Sequence, residues 1–166
     1  MADYKSTTSE NKCIFCEIIK GNIKTPGIFW EDGEFMAFLS TWPNTIGFTV
    51  VVPKDHYSSD VLAMPEVKLN KMVIATKKVS KILMKGFDDV GRIGLIIEGT
   101  GVDHAHIKLF PMHNTEHLKN DSWKQHHSKN DKFFEHYEGY ISSNDGPKAD
   151  EQELRELSKK LRKIKL

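Results

Sequence analysis

Only two cysteines occur among the 166 residues, Cys13 and Cys16, too few and too close together to staple a secreted fold. Long apolar runs are also missing. No stretch approaches the ~20 residues of a membrane-spanning helix, and Met1 to Lys12 is polar, without the apolar segment of a signal peptide. A soluble, cytoplasmic chain with no membrane partner is expected. An excess of one charge is lacking too, since 24 Lys+Arg oppose 23 Asp+Glu for a formal net charge of +1. No global field therefore recruits a nucleic-acid polymer, and any phosphate recognition must be local. No internal repeat is evident, and 39% hydrophobic residues suit one domain with a proper core.

Residues 1–12 read as a flexible tail. A short helix follows from Cys13, with Ile14, Phe15, Ile18 and Ile19 at helical spacing and Gly21 as its stop. Phe29 to Leu39 reads as two strands around Asp32-Gly33, a hairpin signal. Phe48 to Val52, ended by Pro53, has the β-branched, apolar character of a central strand. Pro65 suits the first turn of the main helix, whose positions Leu69, Met72, Val73, Thr76, Val79, Ile82 and Leu83 form an apolar stripe ending at Gly86. Arg92 to Glu98 is another strand, Gly99-Thr100-Gly101 a tight loop, and His104 to Met112 a further strand. A last helix spans Asp150 to Leu166, capped by Asp150, with Leu154, Leu157, Leu161 and Ile164 on one face. Between His113 and Pro147 the chain is polar around Phe133, Phe134, Tyr137 and Tyr140, and His113, His117, His126, His127 and His136 read as solvated surface. The predicted fold class is α+β, an antiparallel sheet of about five strands with one main helix, a short N-terminal helix and a C-terminal helical extension.

The richest stretch is Gly101 to Met112, where polar groups recur at every second residue. Side chains of a strand alternate between faces, so His104, His106 and Lys108 point one way while Ala105, Ile107 and Leu109 enter the core. Two imidazoles and an ammonium would converge, an arrangement suited to attack on phosphorus. The alternative is a half-exposed edge strand with a polar face. Cys13-x-x-Cys16 is open to three readings: a redox pair, two reduced buried thiols, or half of a tetrahedral zinc site completed by two imidazoles. The redox reading wants the pair to follow a strand, whereas here it opens the domain.

Three segments together, Cys13-Ile14-Phe15-Cys16-Glu17-Ile18-Ile19, Gly47 to His56 and His104 to Pro111, resemble the histidine triad (HIT) superfamily in order and spacing. The resemblance covers residues 13–113, taken as the HIT domain, with 114–166 as an extension packed on it. It implies a structural zinc held by Cys13, Cys16, His56 and His104. It further implies His106 as the nucleophile at the α-phosphate of a nucleoside phosphoramidate or dinucleoside polyphosphate. A covalent nucleotidyl-His106 intermediate then yields a nucleoside monophosphate, with His104 and Lys108 as the other triad members. The implied ligand is a nucleotide such as AMP or an adenosine conjugate, and a homodimer pairs through the main helix and a strand.

The chain departs from the family pattern at three places. Lys108 stands where a third histidine is expected, which supplies fixed charge without proton transfer near pH 7. If that damps turnover, the alternative is a nucleotide-binding or sensing module. Ser40 stands where many members carry an acidic residue for the ribose. The short Glu98 to Asp103 loop lacks a Gly-Gln-Ser segment, leaving Thr100 and the backbone of Gly99 and Gly101 to approach phosphate. Asn44 and Pro43 fit a loop beside the base, and Phe38, Phe35 and Ile18 serve either a purine slot or the core. A phosphorylase-like transferase would place a glutamine after the second histidine, which this chain lacks.

Overall fold

The computed structural model describes residues 13–120, 122 and 148–165. The 1–12 tail and the aromatic residues Phe133, Phe134, Tyr137 and Tyr140 lie outside them, as do His126, His127 and His136. A short helix α1 (Ile14–Ile19) precedes β1 (Ile28–Glu31), β2 (Phe35–Leu39) and β3 (Thr49–Pro53). Then come α2 (Glu66–Gly86), β4 (Ile93–Ile96), β5 (Ile107–Pro111) and α3 (Glu151–Arg162). The five strands form one antiparallel sheet in the order β1-β2-β3-β5-β4. The fold is α+β, and the run predicted to be a central strand is central.

The β1–β2 hairpin forms at Asp32-Gly33, but Gly33 is not in the left-handed region that the turn signal anticipates. The Asp32 carboxylate does the work instead, its Oδ1 accepting from the backbone N–H of Glu34 and of Phe35, each at 2.9 Å. From the same turn Glu34 reaches α2, where Lys68 and Lys71 donate to its carboxylate at 2.8 and 2.9 Å.

One face of the sheet carries the main core, in which Ala37, Leu39, Val51, Ile107 and Leu109 meet Met72, Ala75, Val79, Ile82 and Leu83 of α2. The stripe on α2 follows its predicted spacing except at Val73, which is 48% exposed, while Ala75 takes the inward position. Helix α3 closes the same layer through buried Leu154 and Leu161. Each fully buried leucine contributes roughly 1.5–3 kcal/mol. Asp150 caps α3 as expected, accepting from Gln152 N at 2.8 Å and Glu153 N at 3.1 Å.

The opposite face carries a smaller cluster of Met36, Phe38, Val50 and Val52 beneath Ile18 of α1, with Phe15 and Ile19 packed against it. This face also receives the polar side chains of the β5 approach. No helix among the described residues is long and apolar enough to cross a membrane.

Candidate functional site

β5 begins at Ile107, later than the predicted His104. Pro53, at the end of β3, has no N–H for the ladder, and its carbonyl is taken by the His104 side chain at 2.9 Å. The chain here leaves the ladder and is tied instead to the segment after β3, Ala105 N donating to Tyr57 O at 2.9 Å. Alternation survives the loss of ladder: Ala105, Ile107 and Leu109 enter the main core. His104 and His106 are nonetheless buried as well, at 0% and 3% exposure, so they do not form the solvated polar face of an edge strand.

The three triad side chains share a face without meeting at one point. His104 is the hub. A carbonyl only accepts, so the bond to Pro53 O puts the His104 proton on Nε2 and leaves Nδ1 with a lone pair. That atom faces Cys13 Sγ at 3.3 Å and Cys16 Sγ at 3.5 Å. His56 brings its own Nδ1 to 3.4 Å from Cys16 Sγ, and the four donor atoms all lie within 4.8 Å of one another. Metal–sulfur bonds of about 2.3 Å and metal–nitrogen bonds of about 2.0–2.1 Å set sulfur and nitrogen about 3.5 Å apart around a tetrahedral ion. Cys13, Cys16, His56 and His104 are therefore positioned to bind a metal, and the His104 bond to Pro53 O supplies the outer contact that orients such a ligand. Burial and the neighbouring Cys13 thiol push the Cys16 thiol up to about 11.

His106 turns its Nδ1–H to the carbonyl of His104, which accepts at 2.8 Å. Its Nε2 is thereby the unprotonated nitrogen. Burial holds the imidazole below its ordinary range, while the bond to the His104 carbonyl pulls upward. The ring is consequently neutral at pH 7. Phe15 walls this region, its ring meeting those of Phe38, His104 and His106 edge-on at centroid distances of 5.5, 5.8 and 5.6 Å. Sequence reasoning gave Phe15 no role beyond helix packing.

Lys108, opposite Val50 on β3 and Ile96 on β4, pairs its ammonium with the Glu98 carboxylate, their side chains 18% and 6% exposed. Glu98 was missed because only the β4–β5 register brings it near. Phe38 is 5% exposed within the smaller cluster, so it lines the site as core. Gly99 and Gly101 both take positive φ, +67° and +89°; a Cβ on Gly99 would sit 3.0 Å from Ser59 O. Thr100 between them is exposed.

Ser40 and Asn44 lie at the other end of β3. Ser40 N donates to Phe48 O at 2.8 Å and its Oγ accepts from Trp42 N at 3.1 Å, while Asn44 is exposed. Ile107, next to His106, pairs with Val51, about 10 Å along the sheet from Phe48 at about 3.3 Å per residue. Only an extended ligand could touch both sets. His113, expected at the solvated surface, is instead anchored, with Nδ1 2.9 Å from Asp89 Oδ2 and Nε2 3.0 Å from Ile46 O.

No family model matches the chain. An uncharacterised HIT-like protein of Methanocaldococcus jannaschii is 36% identical over 103 residues, covering 60% of this chain and 78% of that protein. The adenosine 5′-monophosphoramidase of Schizosaccharomyces pombe is 29% identical over 111 residues, 67% of this chain and 82% of that protein. Among solved structures, a hypothetical histidine triad nucleotide-binding protein of Sulfolobus tokodaii superposes with a TM-score of 0.65 at 21% identity, covering 90% and 89% of the two chains. A zinc-bound histidine triad family protein of Mycobacterium smegmatis gives 0.63 at 20% identity, covering 92% and 91%. Sequence likeness over most of a relative's length and the agreement in fold converge: the chain belongs to the histidine triad family.

Proposed function

We propose that the protein is a nucleotide hydrolase or nucleotidyltransferase of the histidine triad type, acting through His106. The observation that carries this reading is the buried His106 ring, its Nδ1–H held by the His104 carbonyl at 2.8 Å and its Nε2 left as a nucleophile. The substrate class is a nucleoside phosphoramidate or a dinucleoside polyphosphate, in line with the monophosphoramidase activity named for the fission-yeast relative. The Nε2 lone pair forms a bond to the α-phosphorus as the bond to the leaving group breaks, the electron pair departing with that group. The ring then carries a positive charge that the His104 carbonyl stabilises through Nδ1–H. Water attacks the phosphorus, the phosphorus–Nε2 bond breaks, and a nucleoside monophosphate leaves. His104 contributes its carbonyl, because both its ring nitrogens are engaged elsewhere. Lys108 and the backbone of Gly99 and Gly101 supply positive charge and N–H groups to phosphate oxygens, with Thr100 beside them, while Ser40 and Asn44 reach the nucleoside end.

The metal at Cys13, Cys16, His56 and His104 is zinc on this reading, since two thiolates and two imidazoles are its tetrahedral set. With no position left open it supplies cross-linking rather than chemistry. The HIT domain is residues 13–113, with the extension packed on it through Leu154 and Leu161. Exposed Val67 and Ile74 on α2 and Leu95 on the outer strand β4 support a homodimer, and two free cysteines suit the cytoplasm.

Release of AMP from adenosine 5′-phosphoramidate and from a diadenosine polyphosphate, native chain against His106→Ala, tests the reaction. Turnover lost in the variant is expected. AMP bound by the native chain without release from either substrate would replace this reading with a nucleotide-binding module.

A further inference from the structure

One charged side chain in the site has no part in that reaction. Strand β4 pairs with β5 so that Ile96 faces Lys108 and Leu95 faces Leu109. The ladder ends at Ile96 opposite Lys108, and Glu98, two residues on, stands diagonal to Lys108. Side chains so related lie within reach on one face, and the Glu98 carboxylate does meet the Lys108 ammonium. Glu98 is the more enclosed partner, its side chain 6% exposed against 18% for Lys108. The positive charge at the third triad position is thus partly offset by the carboxylate beside it. An anionic leaving group therefore gains less attraction here than it would from an ammonium with no carboxylate beside it.

We infer that Glu98 sets the leaving-group preference of the His106 site, favouring a departing amine over a departing group that bears its own phosphate or sulfate charge. This rests on the nucleotidyl-transfer reading above. For a phosphoramidate, the His106 Nε2–phosphorus bond forms as the phosphorus–nitrogen bond breaks, the electron pair staying on nitrogen. The nitrogen takes two protons from solvent as that bond breaks and departs as an ammonium ion, and the water that later attacks phosphorus returns two protons to solvent. Its positive charge is not opposed where Glu98 offsets Lys108. A sulfate or pyrophosphate leaving group instead brings negative charge toward the same carboxylate.

The experiment compares kcat/KM for the adenosine 5′-phosphoramidate of a simple alkyl amine with that for adenosine 5′-phosphosulfate, in the native chain and in Glu98→Gln. The expected result is a native preference for the amine that falls on the order of tenfold in Glu98→Gln. Lys108→Met provides the opposite sign, since it removes the positive charge and keeps the carboxylate, and the preference for the amine should rise. A merely structural role for Glu98 lowers both substrates together. An unchanged ratio in both variants, or a native preference for the phosphosulfate, overturns the inference. If the native chain turns over neither substrate, the reaction itself is refuted and calorimetric binding decides the charge argument. ADP tightening about tenfold relative to AMP in Glu98→Gln would support it, and equal changes would overturn it.

Discussion

Stripping the zinc proposed at Cys13, Cys16, His56 and His104 should release the N-terminal segment while the sheet stays folded. Helix α1 has six residues, well below the ~12–15 that an isolated helix needs even with favourable composition. Ordering residues 13–20 costs about 1–2 kcal/mol each in backbone entropy, about 8–16 kcal/mol for the segment. Against this stand one fully buried apolar side chain, Ile18 at 8% exposure, and the partly buried Phe15 and Ile19, together about 3–6 kcal/mol. The shortfall, about 5–10 kcal/mol, lies within what zinc binding to four such ligands supplies, about 10–16 kcal/mol in small domains near neutral pH. The assay is hydrogen exchange by mass spectrometry on chelator-treated and untreated protein. Metal-free protein should lose protection across residues 13–23 and keep it in α2 and β3. Unchanged protection of residues 13–23 in protein holding less than about a tenth of an equivalent of metal would refute the reasoning.

His106→Ala should cut turnover by at least about 10³-fold, with little change in thermal midpoint, measured by AMP release and scanning calorimetry. Leu161→Ala should cost about 2–5 kcal/mol in urea unfolding, because Leu161 is fully buried between α3 and the sheet. Lys68, and then Lys71, hold the Glu34 carboxyl below its ordinary 4.5. The stability it supplies is complete above that ordinary value and is lost as pH falls through the lowered one. Thermal midpoints of native protein and Glu34→Gln should differ near pH 7 and converge on acidification; a constant gap would sink the assignment.

The parts of the fold legible in the sequence are those set by local rules. The Asp150 cap, the α2 stripe and the apolar run of β3 depend on near neighbours, and each appears where expected. The hairpin at Asp32 was legible for a partly different reason, since the aspartate carboxylate rather than the glycine shapes the turn. Cys13, Cys16, His56 and His104 were assembled from the resemblance, and their donor atoms do converge. What escaped depends on register and long-range contact. Glu98 meets Lys108 only once β4 and β5 are aligned, and His113 meets Asp89 across 24 residues. A shorter β5 was hidden because nothing local to His104 shows that Pro53 offers a carbonyl but no N–H.

His104 joins three things at once: the cysteine cluster through Nδ1, the end of β3 through Nε2, and the orientation of His106 through its carbonyl. The partners of that one residue are far apart in the chain, Cys16 lying 88 positions before it. A polypeptide emerging from the ribosome exposes both cysteines long before His104 has been made. The orientation of His106 is therefore set only once His104 has docked on the end of β3 and on the cysteine pair.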